Sequence, residues 1–108
     1  MAVSEISVDE LTTLVESGSL VIDVREPDEY ESGHIPGAIL VPLSTVSTNT
    51  SEFESEETVY VVCRSGGRSM QACEILHEVG ITNVVNVAGG TIGWISRGNE
   101  IVTGEHPS

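Results

Sequence analysis

Apolar positions along the chain fall into short blocks whose spacing changes from one block to the next. Val8, Leu11, Leu14 and Val15 recur at helical intervals behind Ser7, which forms a capping box with Glu10, and Gly18 closes the pattern. This predicts an amphipathic helix over Val8–Ser17, with Ile6 in a short edge strand before it. Leu20–Val24 is an apolar run broken only by Asp23, the pattern of a strand buried on both faces. Pro27 suits the first position of a short helix, Pro27–Ser32, that Gly33 ends. The turn-rich stretch Gly33–Ala38 then feeds a strand over Ala38–Val41, stopped by Pro42.

From Leu43 to Glu57 the chain is polar and acidic, which predicts a loop with one helical turn held down by Val46 and Phe53. The β-branched run Thr58–Val62 reads as the central strand. A helix follows over Ser69–Val79, with Met70, Cys73, Ile75, Leu76 and Val79 largely on one side and Gly80 as its stop. Val84–Val87 gives a further strand and Thr91–Arg97 a last helix, with Trp94 as a packing anchor. Ile101 and Val102 add a short extended piece. Strands that alternate with helices in this way predict an α/β domain, a mainly parallel sheet with helices on both faces. Sites in such sheets lie at the carboxyl ends of strands, here Asp23–Arg25, Cys63–Arg68 and Ala88–Gly90.

A length of 108 residues holds one domain, residues 1–108, with 1–5 and 104–108 expected to be loose ends. No apolar run nears the roughly 20 residues of a membrane span, and the first residues lack the basic start and apolar core of a signal peptide. The reading is therefore a cytoplasmic protein. Charge changes the picture most: 17 acidic residues face four arginines and no lysine, a net charge of −13. Nucleic acid and anionic membranes are excluded as partners by repulsion, and added salt would relieve the self-repulsion of the surface. The residue pattern specifies no oligomeric state.

Chemistry concentrates in VVCRSGGRSM, Val61–Met70. A strand ends on Cys63, two glycines allow the backbone to curl, and a helix N-terminus follows. NH groups in such a loop form an anion-binding nest, to which the helix dipole and the charges of Arg64 and Arg68 add. Each feature lowers a thiol pKa, so the expected object is a cup for an anion with a reactive sulfur at its floor. Cys73 falls on the apolar side of the helix and reads as core, two to three turns from Cys63 and not its disulfide partner. Asp23 either orders the loop after its strand or orients an arginine of the anion site. His34, in a turn, reads as a structural group, since nothing in the spacing brings it to the thiol. The double glycine Gly89-Gly90 reads as a close backbone crossing.

Three blocks, VIDVREPDEYESGHIPGAILVP (Val21–Pro42), YVVCRSGGRSMQA (Tyr60–Ala72) and NVAGGTIGW (Asn86–Trp94), resemble the single-domain rhodanese family of thiosulfate and persulfide sulfurtransferases. The resemblance implies a rhodanese-like three-layer fold. It makes Cys63 the nucleophile that becomes a persulfide and Arg64, Ser65, Gly66, Gly67, Arg68 and Ser69 its anion-binding loop, with Asp23 and Arg25 supporting. It implies no metal and no organic cofactor, and as partners a small sulfur-donor anion and a thiol acceptor, which a protein could carry. Phosphatases and arsenate reductases of related fold look like Cys, five residues, then Arg. Here Arg68 follows Cys63 after four and Ser69 stands at the longer spacing, which favours sulfur over phosphoryl transfer. A binding or regulatory module is the alternative from another class, and the presence of Cys63 and both loop arginines weighs against it.

Overall fold

The computed structural model describes residues 3–108. The buried valine and isoleucine runs form five strands, β1 (Ser4–Ile6), β2 (Leu20–Asp23), β3 (Ile39–Leu40), β4 (Val59–Val62) and β5 (Val84–Val87). They lie side by side in the order β1-β5-β4-β2-β3, every pair parallel. β4 is central, with Val62 opposite Asp23 of β2 and Val61 opposite Asn86 of β5. The two polar residues flanking the end of β4 are thereby fixed by strand register.

Four helices cover the sheet: α1 (Val8–Glu16), α2 (Pro27–Ser32), α3 (Gly67–Glu78) and α4 (Gly90–Ser96). Because strand side chains alternate between faces, the core splits in two. Ile22, Val59, Val61 and Val84 pack with Ala72, Cys73 and Leu76 of α3, while Val21, Val62 and Val87 pack with Leu11, Tyr30 and Trp94 from the other helices. This is the expected three-layer arrangement. Val46 and Phe53 are fully buried, as expected, but they sit on two 3-10 helices, Leu43–Thr48 and Thr50–Phe53, where one turn was predicted. Burying each such side chain stabilises by about 1.5–3 kcal/mol, enough to hold down an otherwise polar excursion.

Both ends are better anchored than their composition predicts. Ser4 and Glu5 pair with β5, while Met1 and Ala2 lie outside the described residues. The tail is tied by main-chain bonds from Gly104 to Glu31 and from Gly37 to Pro107. Val102 bridges to His34. His34 itself is buried and stacked on Tyr30, with Nδ1 against the Tyr30 carbonyl at 2.8 Å and Nε2 against the His106 carbonyl at 2.9 Å. Both nitrogens are occupied by main-chain carbonyls and neither bonds a thiol, which fits a structural role. His77 departs from the picture of a surface residue, since its ring nitrogens are covered and without partners among the described residues.

Candidate active site

β4 ends beneath the rim of the sheet, and Cys63 follows it as a residue only 1% exposed. The turn after it is tighter than predicted. Only Arg64, Ser65 and Gly66 separate the cysteine from α3, which begins at Gly67 and not at Ser69. Gly66 is the helix N-cap and has φ +115°, a conformation in which a side chain is strained. Gly67 has no such need, and the space about it is open. The early start of α3 turns its first NH groups, which have no partner within the helix, towards the sulfur.

Sγ accepts a hydrogen bond from the Gly66 NH at 3.1 Å, and Ser69 Oγ lies 3.4 Å from it. Burial opposes ionisation of Cys63, but the hydrogen-bonding groups of Ser69, Gly66 and Ser65 gathered around the sulfur outweigh it, and the thiol titrates below its ordinary value. Cys73 is the opposite case: also buried and free, it has no such donors, and burial pushes it up to about 12. Cys63 is thus the thiol prepared to ionise.

The arginines are placed differently from the expectation. Arg68 does not offer its guanidinium to the cup. It forms a bidentate pair with Glu29 of α2, Nη1–Oε1 2.7 Å and Nη2–Oε2 2.9 Å, though its field still reaches Cys63. Glu29 of α2 lies within reach of Arg68 in the first turn of α3 and takes it in the fork geometry that guanidinium favours. Arg25 is held by Asp23 through Nε at 3.0 Å and Nη2 at 2.8 Å, with Nη2 also donating to the Gly33 carbonyl at 2.9 Å. Asp23 accepts the Arg25 NH as well, so it both orders its loop and orients an arginine, but neither arginine of the Cys63 turn. Arg97 pairs with Asp9. Arg64, exposed beside Cys63, is the one arginine with no acidic partner among the described residues.

The Glu29–Arg68 pair carries a pH signature. Its hydrogen bonds with Arg68 hold the Glu29 carboxyl at about 2, against an ordinary 4.5. A carboxyl depressed on folding stabilises above its unfolded value and loses that contribution as pH falls through its folded one. Glu29→Gln is therefore expected to lower stability at pH 6 by up to about 1 kcal/mol, the partial exposure of the pair limiting it. Thermal melts of the variant should converge on those of the parent as pH falls from about 4.5 towards 2. Melts that stay equally far apart at all pH values would show that the pair contributes nothing.

Gly90 closes the site from behind. A Cβ there would lie 2.5 Å from the Cys63 carbonyl oxygen, whose hydrogen-bond donor is the Thr91 NH at 2.9 Å. The close crossing expected of the double glycine is thus a contact with the backbone of Cys63 and Arg64. A groove of about 220 Å³ runs alongside, lined by Arg25, Glu29, Arg64, Thr91 and Ile92 among others. Sequence reading missed Glu29, Thr91, Asn86 and Glu5. Asn86 alone left a signal, as the single polar residue within the strand VVNV. No cluster of three or more His, Cys, Asp or Glu side chains able to hold a metal occurs among the described residues. No helix is long and apolar enough to cross a membrane among them.

A thiol at the carboxyl end of a central parallel strand, seated on the NH groups of the next helix, marks the candidate site of this α/β domain. The chain belongs to the rhodanese-like domain family, whose model matches residues 7–97. It is 40% identical over 86 residues to a sulfurtransferase of Allochromatium vinosum, covering 80% of each protein. It is 44% identical over 70 residues to the thiosulfate sulfurtransferase PspE of Escherichia coli, covering 63% of this chain and 67% of that protein. Among solved structures, a rhodanese-related protein of Thermoplasma volcanium superposes with a TM-score of 0.85 at 33% identity, covering 94% of this chain and 99% of that one.

Proposed function

We propose that this protein is a sulfurtransferase that carries a sulfane sulfur on Cys63. The observation that carries this reading is the buried Cys63 sulfur, held by the Gly66 NH at 3.1 Å with its pKa depressed. In the first half-reaction the Cys63 thiolate attacks the outer sulfur of thiosulfate. A new S–S bond forms to Sγ, the bond between the outer sulfur and the sulfonate sulfur breaks, and sulfite leaves with that electron pair. The persulfide anion sits among the NH groups at the start of α3, which suit a charge no longer hydrated. In the second half-reaction an acceptor thiolate attacks the outer sulfur and the Cys63 thiolate departs, stabilised by the same donors. No step needs a metal or organic cofactor. Relatives named sulfurtransferase and thiosulfate sulfurtransferase support this reading of the donor class.

Arg64, and not Arg68, is assigned to the donor's sulfonate, because among the described residues it alone of the arginines is free of a carboxylate, in a chain of net charge −13. Arg64→Ala is expected to raise KM for thiosulfate about fivefold, the loss of roughly 1 kcal/mol for a solvent-screened, charge-assisted contact, with kcat changed less. Steady-state kinetics over thiosulfate concentration checks this, and an unchanged KM would remove Arg64 from donor binding. The function itself is tested by intact mass after incubation with thiosulfate. One added sulfur, removed again by cyanide, is the expected result. No uptake from thiosulfate or from a small-molecule persulfide would overturn the reading in favour of a binding module.

A further inference from the structure

Ser69 Oγ has one proton and three acceptors around it: Cys63 Sγ at 3.4 Å, the Gly66 carbonyl at 3.2 Å and Asn86 Oδ1, which is the closest. Ser69 is fully buried and Asn86 is 1% exposed, so water offers no alternative. The direction of the Asn86 amide is set by its other end, where Nδ2 donates to Glu5 Oε2 at 2.7 Å. A carboxylate only accepts, so the amide nitrogen must face Glu5 and the amide oxygen must face Ser69. Two oxygens in close contact need a proton between them, and the amide oxygen has none to give. Ser69 therefore donates to Asn86.

We propose that Asn86, clamped by Glu5, is a positioning residue that holds the Ser69 proton away from the Cys63 sulfur. Ser69 then meets Sγ with a lone pair, suited to receive the S–H of the neutral thiol. Stabilisation of the thiolate falls to the main-chain NH groups. The proposal rests on Cys63 being the nucleophile, and it gives the clamp a use. A thiolate surrounded by more donors is more abundant but intrinsically less reactive, and the best attacking thiol has a pKa near ambient pH. Withholding the hydroxyl keeps the sulfur from being over-stabilised.

Other groups near the sulfur do not compete for this role. Arg68 of α3, paired with Glu29 of α2, adds a field that is constant across neutral pH, and the Asp23–Arg25 pair at the end of β2 is self-neutralised. From α4, Thr91 reaches the Cys63 carbonyl through its NH, and Arg64 extends from the turn without an acidic partner among the described residues. Glu5 of β1 acts through Asn86.

The test is the pH profile of Cys63 alkylation by iodoacetamide in the full chain, read from the mass of the Cys63 peptide. Asn86→Ala should free the hydroxyl to turn to Sγ. The midpoint then falls by about one unit, giving about tenfold more thiolate at low pH, while the limiting rate at high pH drops about threefold. The two profiles cross, which a merely loosened site would not produce. Ser69→Ala alone should leave the midpoint unchanged or slightly lower, and the double variant should lose the Asn86→Ala shift. Should Asn86→Ala not fold, Glu5 gives the same answer from an exposed position. Glu5→Ala and Glu5→Gln remove the same charge, but only glutamine still accepts from Asn86. Alanine should lower the midpoint by several tenths of a unit more than glutamine. A raised midpoint in Ser69→Ala, or coincident profiles for the two Glu5 variants, would overturn the proposal. Alkylation needs no sulfur donor, so an enzyme that shows these shifts yet takes up no sulfur refutes the proposed function and leaves the clamp standing.

Discussion

Cys63→Ala protein is expected to take up no sulfur from thiosulfate and to turn over at the uncatalysed background, while remaining folded. The first part follows from chemistry. The reaction needs a soft nucleophile that can also leave as an anion, and NH groups at the start of α3 are directed at Sγ. Cys73 cannot substitute: it lies on the core-facing side of α3, and burial pushes its thiol up to about 12. The second part follows from size, since removing one buried sulfur atom leaves a small void and a Gly66 NH that can turn to water, a loss of about 1 kcal/mol. The reciprocal variant, Cys73→Ser, should keep sulfur uptake at Cys63. Intact mass after thiosulfate treatment, with thermal melts in parallel, separates the two. Sulfur retained by folded Cys63→Ala protein would show that the nucleophile lies elsewhere.

Gly90→Ala is expected to be the most damaging single methyl group in the molecule. Alanine in place of a helical glycine ordinarily stabilises by about 1 kcal/mol. Here the added Cβ would lie 2.5 Å from the carbonyl oxygens of both Cys63 and Arg64, and the residue has φ +57°. Those oxygens are backbone atoms hydrogen-bonded by the Thr91 and Ile92 NH groups, so neither can give way without moving Cys63. Overpacking and the left-handed backbone together cost about 3 kcal/mol or more. That is a large share of the roughly 5–15 kcal/mol available to a domain. Denaturant unfolding should show the loss, and sulfur uptake should fall with it because Cys63 is displaced. Gly67→Ala is the matched control: nothing lies within 4 Å of its added Cβ, and it should stabilise by about 0.4–1 kcal/mol. Equal stability of the Gly90→Ala and parent proteins would show that the crossing behind Cys63 is not tight.

The fold was legible because its signals are local. Ser7 with Glu10, Pro27 with Gly33, and the valine runs at β4 and β5 each specify an element within a few residues, and the observed α2 and β5 match the predicted spans. α3 starts two residues before the position its sequence predicts, because Gly67 has the lowest helix propensity short of proline and yet lies inside the helix. The tail was read as loose from its composition, but the His34 and Gly37 turns supply partners for its backbone.

The site divides along the same line. Cys63, the αL glycine, the helix that follows and the core position of Cys73 are consequences of one contiguous stretch, and the sequence alone determined them, because a strand end, a turn and a helix start are geometry within about ten residues. The assignment of charge was not local. That Arg68 is taken by Glu29, that Arg64 is left without a carboxylate among the described residues, and that Glu5 acts on Ser69 through Asn86 depend on which strands and helices become neighbours. The partners are 39 residues apart in the Arg68–Glu29 pair and 81 in the Glu5–Asn86 pair. Hydrogen bonds and ion pairs act over a few ångströms, so only the tertiary structure, by setting strand order and register, could decide them.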